Sequence, residues 1–134
     1  MRAAGPRVVA LAVADADGLL VERHALQRLP ARDGLGHGLE VAEGDVMHAM
    51  KVSDFGYTGF GEAYFTMVNG GAIKAWKRHR EMTLNLIVPV GAVRFVLYDD
   101  RKKSESAGRF QQVTLSKKSY YRLTVPPMIW VGFQ

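Results

Sequence analysis

From Phe60 to its end the chain is cut into apolar or alternating segments of five to nine residues, each bounded by turn signals. No stretch after Asp45 keeps a 3.6-residue period over three turns. This excludes a helical body and predicts an all-β one, a sandwich or a barrel. The predicted strands are Phe60–Val68, Ala72–His79, Thr83–Val88, Ala92–Tyr98, Arg109–Leu115, Tyr120–Val125 and Ile129–Phe133. Asn69-Gly70-Gly71 and Pro89-Val90-Gly91 supply tight connections, and the polar run Asp99–Gly108 supplies a loop. A chain of 134 residues can build one such core, not two.

Residues 1–44 read differently. Ala, Leu, Arg and Gly dominate, and no Phe, Tyr or Trp precedes Phe55. Val8–Val13 and Leu19–Leu26 flank an Asp-Gly turn and are expected to pair as a hairpin, the alternative being a loosely ordered leader. The expected division is therefore a leader over 1–44 and a β-barrel domain over 45–134. The early apolar run, Val8–Ala14, stops at Asp15, far short of the roughly 20 residues a membrane span needs, and no cleavage pattern follows it. A cytoplasmic protein with no membrane segment is the expectation. Cysteine is absent, which rules out a disulfide framework, a thiolate metal site and a cysteine nucleophile. Eighteen Lys and Arg against 13 Asp and Glu favour an anionic partner without choosing its class.

Side chains on a strand alternate faces, so parity assigns sides. Ile73, Ala75, Lys77 and His79 share one face of their strand, which begins apolar and ends in two ionisable groups. That is the pattern of a strand leaving a core at the mouth of a barrel. Lys74, Trp76 and Arg78 fall on the other face, so Lys74 and Lys77 line one cavity only if the strand is bulged. Leu84, Leu86 and Val88 oppose Asn85 and Ile87, while Val93, Phe95 and Leu97 oppose Arg94, Val96 and Tyr98. Neither strand has a fully charged face. Both are expected to be covered, by a second sheet inside and by a partner subunit or the leader outside.

Three features carry a family resemblance: the Gly-x-x-Lys-x-x-Lys-x-His run from Gly71 to His79, the strand after Gly91 that ends in Tyr98-Asp99-Asp100-Arg101, and Val125-Pro126-Pro127 before the last strand. Together they resemble the dTDP-4-dehydrorhamnose 3,5-epimerase and dTDP-sugar isomerase group of cupins, over roughly residues 45–134. The resemblance implies a double-stranded β-helix, a cupin jelly-roll barrel, and a homodimer. It implies a nucleotide-linked 4-keto-6-deoxy sugar as substrate, deprotonated alpha to its ketone, with no cofactor. It places Lys74 where the epimerases have a phosphate-contacting arginine, Glu62 at a polar nucleotide contact, and Lys77 at their base histidine. His79 matches the second histidine of the ketoisomerases. The ligand positions of metal-dependent cupins read Lys77, His79, Leu84 and Val131 here, one donor of four, so no metal is expected. The epimerases draw their tyrosine acid and the carboxylate behind their base from beyond the final Gly-Phe, whereas this sequence ends at Gln134. An acid from elsewhere in the chain, or from a second subunit, is then expected.

Candidate roles follow from chemistry as well as from resemblance. An imidazole has an ordinary pKa near 6.5, suited to removing a proton beside a ketone at working pH, which makes His79 the candidate base. A surface histidine in a basic turn is the plainer alternative. Lys77 is the candidate for steadying the enolate oxygen, and Lys74 for a diphosphate. Tyr121, on the face of Leu123 and Val125, is the candidate acid, with Tyr64 and Tyr98 as alternatives. Glu62, Tyr64, Lys74 and Asn85 form the candidate substrate contacts. Trp76 and Trp130 are open to stacking on a base or sugar, or to packing a core or an interface. A cupin that binds a sugar nucleotide or a protein partner without catalysis is the alternative function. Nucleic-acid binding through Lys102, Lys103, Lys117 and Lys118 has no motif behind it.

Overall fold

The alternation of the body builds strands wherever it is expected to. The computed structural model describes residues 7–14, 25–28, 44 and 46–134, the first two stretches through their strand pairing. The strands are β1 (Arg7–Ala14), β2 (Ala25–Arg28), β3 (Glu62–Asn69), β4 (Lys74–Arg78), β5 (Leu84–Val90), β6 (Ala92–Asp99), β7 (Phe110–Ser116), β8 (Tyr121–Val125) and β9 (Ile129–Phe133). All seven strands expected after Asp45 are present, shifted by at most two residues at an end. One shift has a clear cause. β5 continues through Pro89 to Val90, and its pairing with β1 slips between Val9 and Leu11, opposite the residue that lacks an N–H to donate.

The strands form a five-stranded sheet, β2-β8-β5-β1-β3, and a four-stranded sheet, β4-β9-β6-β7. Their facing sides make the core: Leu84, Leu86 and Val88 from β5 and Leu123 and Val125 from β8 meet Val93, Phe95 and Leu97 from β6, Leu115 from β7, and Ile129 and Val131 from β9. These are the faces that parity selects. Burying each such side chain contributes about 1.5–3 kcal/mol, so the two sheets are held chiefly by these residues. Among the described residues no helix is long and apolar enough to cross a membrane.

The expected hairpin within residues 1–44 is not the observed pairing. β1 lies between β5 and β3, while β2 pairs with β8 at the far side of the same sheet. A strand with two apolar faces is drawn to the interior of a sheet, where both its edges are paired, rather than to its neighbour in sequence. Apart from Gly44, the rest of the expected leader lies outside the described residues.

The outer face of β5 and β8 is covered by the segment that precedes β3. Tyr120 donates to the carbonyl of His48 (2.9 Å), and Arg122 to those of Ala49 (3.2 Å) and Phe55 (2.7 Å) and to Asp54 (2.8 Å). Asn85 donates to the carbonyl of Gly56 (2.9 Å) and accepts from Thr124 (2.7 Å). Gly56 lies so close to the sheet, at φ +85°, that a Cβ there would stand 2.6 Å from the Thr124 hydroxyl. Met47 and Ala49 complete the cover by packing on Ile87 and Tyr120.

Candidate active site

β3 and β4 are joined by a short turn but belong to different sheets, each at an edge. The gap between those two edges is the mouth of a cavity of about 390 Å³. Its floor is apolar, made of Leu84, Leu86, Phe95, Val131 and Phe133 from the core, and its rim carries Tyr64, Thr66, Lys77 and His79 together with Lys74, Ala75 and Trp76 of β4. A few polar groups over an apolar floor is the usual composition of a small-molecule site.

Both lysines reach the rim because β4 is bulged. Lys74 pairs with Phe133 and Lys77 with Val131, so three steps on β4 match two on β9. Lys74 is held in place: its Nζ donates to the Thr66 hydroxyl (3.0 Å) and to the Met67 carbonyl (2.8 Å), tying one sheet edge to the other. His79 is half-buried, and its Nε2 is fully buried with no hydrogen-bond partner among the described residues. Burial lowers its pKa below the ordinary 6.5; the charge of Lys77 lowers it further, and that of Glu62 pulls the other way. The main chain at this point is fixed, since Met128 N donates to the His79 carbonyl at 2.7 Å. A neutral imidazole beside a cation, over an apolar floor, can accept a proton whose departure creates negative charge nearby.

Of the candidate residues, His79, Lys77, Lys74, Tyr64 and Trp76 come together in this cavity. Glu62 is exposed at the start of β3, near enough for its charge to act on His79. Three candidates lie elsewhere. Asn85 is on the opposite face of β5, and both ends of its amide are engaged in holding the covering segment. Tyr121 packs against the core between the sheets and is not among the lining residues. Tyr98 faces outward, stacked on Phe110 with ring centroids 4.5 Å apart. Trp130 is also outward: its indole N–H donates to Asp100 (2.9 Å), and the Arg78 guanidinium lies over its ring at 4.5 Å. Thr66 escaped notice in the sequence, although parity puts it on the face of Glu62 and Tyr64. Among the described residues no three His, Asp or Glu side chains converge as a metal site.

Comparison with known proteins decides the family. The crystal structure of a dTDP sugar isomerase from Desulfovibrio desulfuricans G20 superposes with a TM-score of 0.74 and 39% identity, covering 84% of this chain and 68% of that one. The chain belongs to the dTDP-sugar isomerase family of cupins. A probable low-salt glycan biosynthesis epimerase, Agl13, of Haloferax volcanii is 27% identical over 73 residues, 54% of this chain. The chain spans about half (47%) of the length of that curated relative. No family model matches the chain. The jelly-roll barrel expected from the resemblance is thus the fold of a family member, and its two sheets frame the cavity just described.

Proposed function

We propose that this cavity deprotonates a nucleotide-linked 4-keto-6-deoxy sugar beside its ketone. The observation that carries the reading is His79, whose unpartnered Nε2 shares a cavity with two cations and an apolar floor. In the first step the C–H proton passes to the imidazole while the bonding pair moves into the carbonyl, leaving an enolate whose oxygen Lys77 steadies. Returning a proton to the opposite face of the same carbon epimerises it. Returning it to the neighbouring carbon, with the carbonyl moved, is ketoisomerisation. Lys74, tied to Thr66 and Met67, offers a fixed charge to the diphosphate. Of the candidate acids, Tyr64 is the one that lines the cavity, and reprotonation is assigned to it. The same reading includes a cytoplasmic homodimer.

Proton exchange tests the proposal. Incubated in deuterated water with a dTDP-4-keto-6-deoxyhexose, the wild-type chain is expected to label the sugar alpha to its ketone, and His79→Ala to lose at least about 100-fold of that rate. Binding of the sugar with no deuterium uptake would overturn it in favour of a non-catalytic sugar-nucleotide binder, a reading that the lysine at the base position favours.

A further inference from the structure

We propose that Trp76 and Gly132 are positioning residues, holding the bulge of β4 so that both Lys74 and Lys77 face the cavity. The function of the two lysines rests on the reading above, but their placement does not. In an unbulged strand, residues three apart point to opposite faces, and one of the two lysines would turn outward. The extra residue is accommodated at a single place. On β9, Val131 and Phe133 face the cavity, so Gly132 between them presents its bare backbone to the outer face. A Cβ built there would stand 3.0 Å from the Cβ of Ala75 and 3.4 and 3.5 Å from ring atoms of Trp76. The two residues of the bulge therefore rest directly on the glycine.

The Trp76 ring is half exposed, so burial alone does not account for its position. It reaches across the sheet toward Phe110, with centroids 6.5 Å apart and planes tilted by 58°, and Phe110 in turn stacks on Tyr98. This aromatic row, whose Trp76 end also lines the cavity, braces the bulge along β4, while the tie from Lys74 to Thr66 and Met67 anchors it to β3. Filling the space over Gly132 must push Ala75 and Trp76 away from β9 by a few tenths of an ångström and carry the flanking lysines with them.

The test uses the full chain and two readouts: calorimetric affinity for dTDP, and the titration of the His79 imidazole followed by NMR. Lys77 and Glu62 are the charged groups that act on His79, and withdrawal of the Lys77 charge raises its midpoint. Lys77→Ala supplies the reference shift. Gly132→Ala is expected to raise the His79 midpoint in the same direction and to weaken dTDP binding about tenfold, as small misplacements of binding groups do. Trp76 itself lines the cavity, so Trp76→Ala is judged by the His79 midpoint alone: a smaller rise is expected, and it decides the matter if Gly132→Ala does not fold. A merely structural role would lower the melting temperature and leave the midpoint in place. A wild-type His79 midpoint in the folded variants overturns the proposal. If the wild-type chain itself does not bind dTDP, the anion reading fails, and the His79 titration alone still judges the positioning.

Discussion

Asp99 shows how much one carboxylate can organise. At the end of β6 it is 1% exposed, yet it accepts from the Arg101 backbone (3.0 Å) and guanidinium (2.9 and 2.8 Å) and from the hydroxyls of Ser104 and Ser106 (both 2.6 Å). Arg101 is the largest influence on its pKa, which lies far below the usual carboxylate range. A group with a depressed folded pKa adds stability that is present above its unfolded value, about 3.9, and is lost as pH falls toward the folded one. Asp99→Asn is therefore expected to cost about 1.5–3 kcal/mol at neutral pH in urea unfolding. It is also expected to flatten the decline in stability below about pH 4. An unchanged acid slope would show that the carboxylate is not the source. Among residues, parity disclosed the placement of two that share the cavity. His79 and Lys77 end an otherwise apolar face, and both line the cavity. Asn85 was misread because a polar residue between leucines looks the same whether it faces a ligand or holds a neighbouring segment.

At the scale of elements, the covering segment 47–56 is where long-range polar contacts replace regular pairing. Arg122 is fully buried, and its partner Asp54 is held below the ordinary range: burial would raise it, but the Lys51 backbone bond and the Arg122 guanidinium outweigh that effect. Removing one member of such a pair strands the other. Arg122→Met is expected to destabilise the protein by about 3–5 kcal/mol in urea unfolding, and Asp54→Asn by about 1 kcal/mol, since the neutral amide still accepts a hydrogen bond. Equal losses would place the energy in the Arg122–Asp54 pair alone and not in the carbonyls that Arg122 also serves. Strand existence was legible because alternation is a local signal. The bulge in β4 was legible only as a condition, since an extra residue becomes visible when the register of the facing strand is known, and no local pattern carries that register. The same reason hid the position of β1, whose place between β5 and β3 is set by partners more than forty residues away.

For the whole molecule, β3 is an edge strand that shows Phe65 (70% exposed) and Met67 (53%) on its outer side. A long apolar edge of this kind invites pairing with another chain. Light scattering is expected to give twice the 14.8 kDa mass of the chain, and Phe65→Lys with Met67→Lys to give a monomer. A monomeric wild type would remove the dimer from the reading. The architecture as a whole was open to inference because the two inner faces are apolar in register along their strands, whereas only the β4 side of the cavity mouth was, since the placing of the β3 edge across from it depends on sheet pairing. The latching of segment 47–56 has a consequence for how such a protein can diverge. His48, Ala49, Phe55 and Gly56 are gripped by their main-chain carbonyls, a chemistry shared by every amino acid. At His48 and Phe55 mutation can rewrite the side chains while the path of the backbone persists, provided the three gripping residues, Asn85, Tyr120 and Arg122, and Thr124, which holds Asn85, stay as they are.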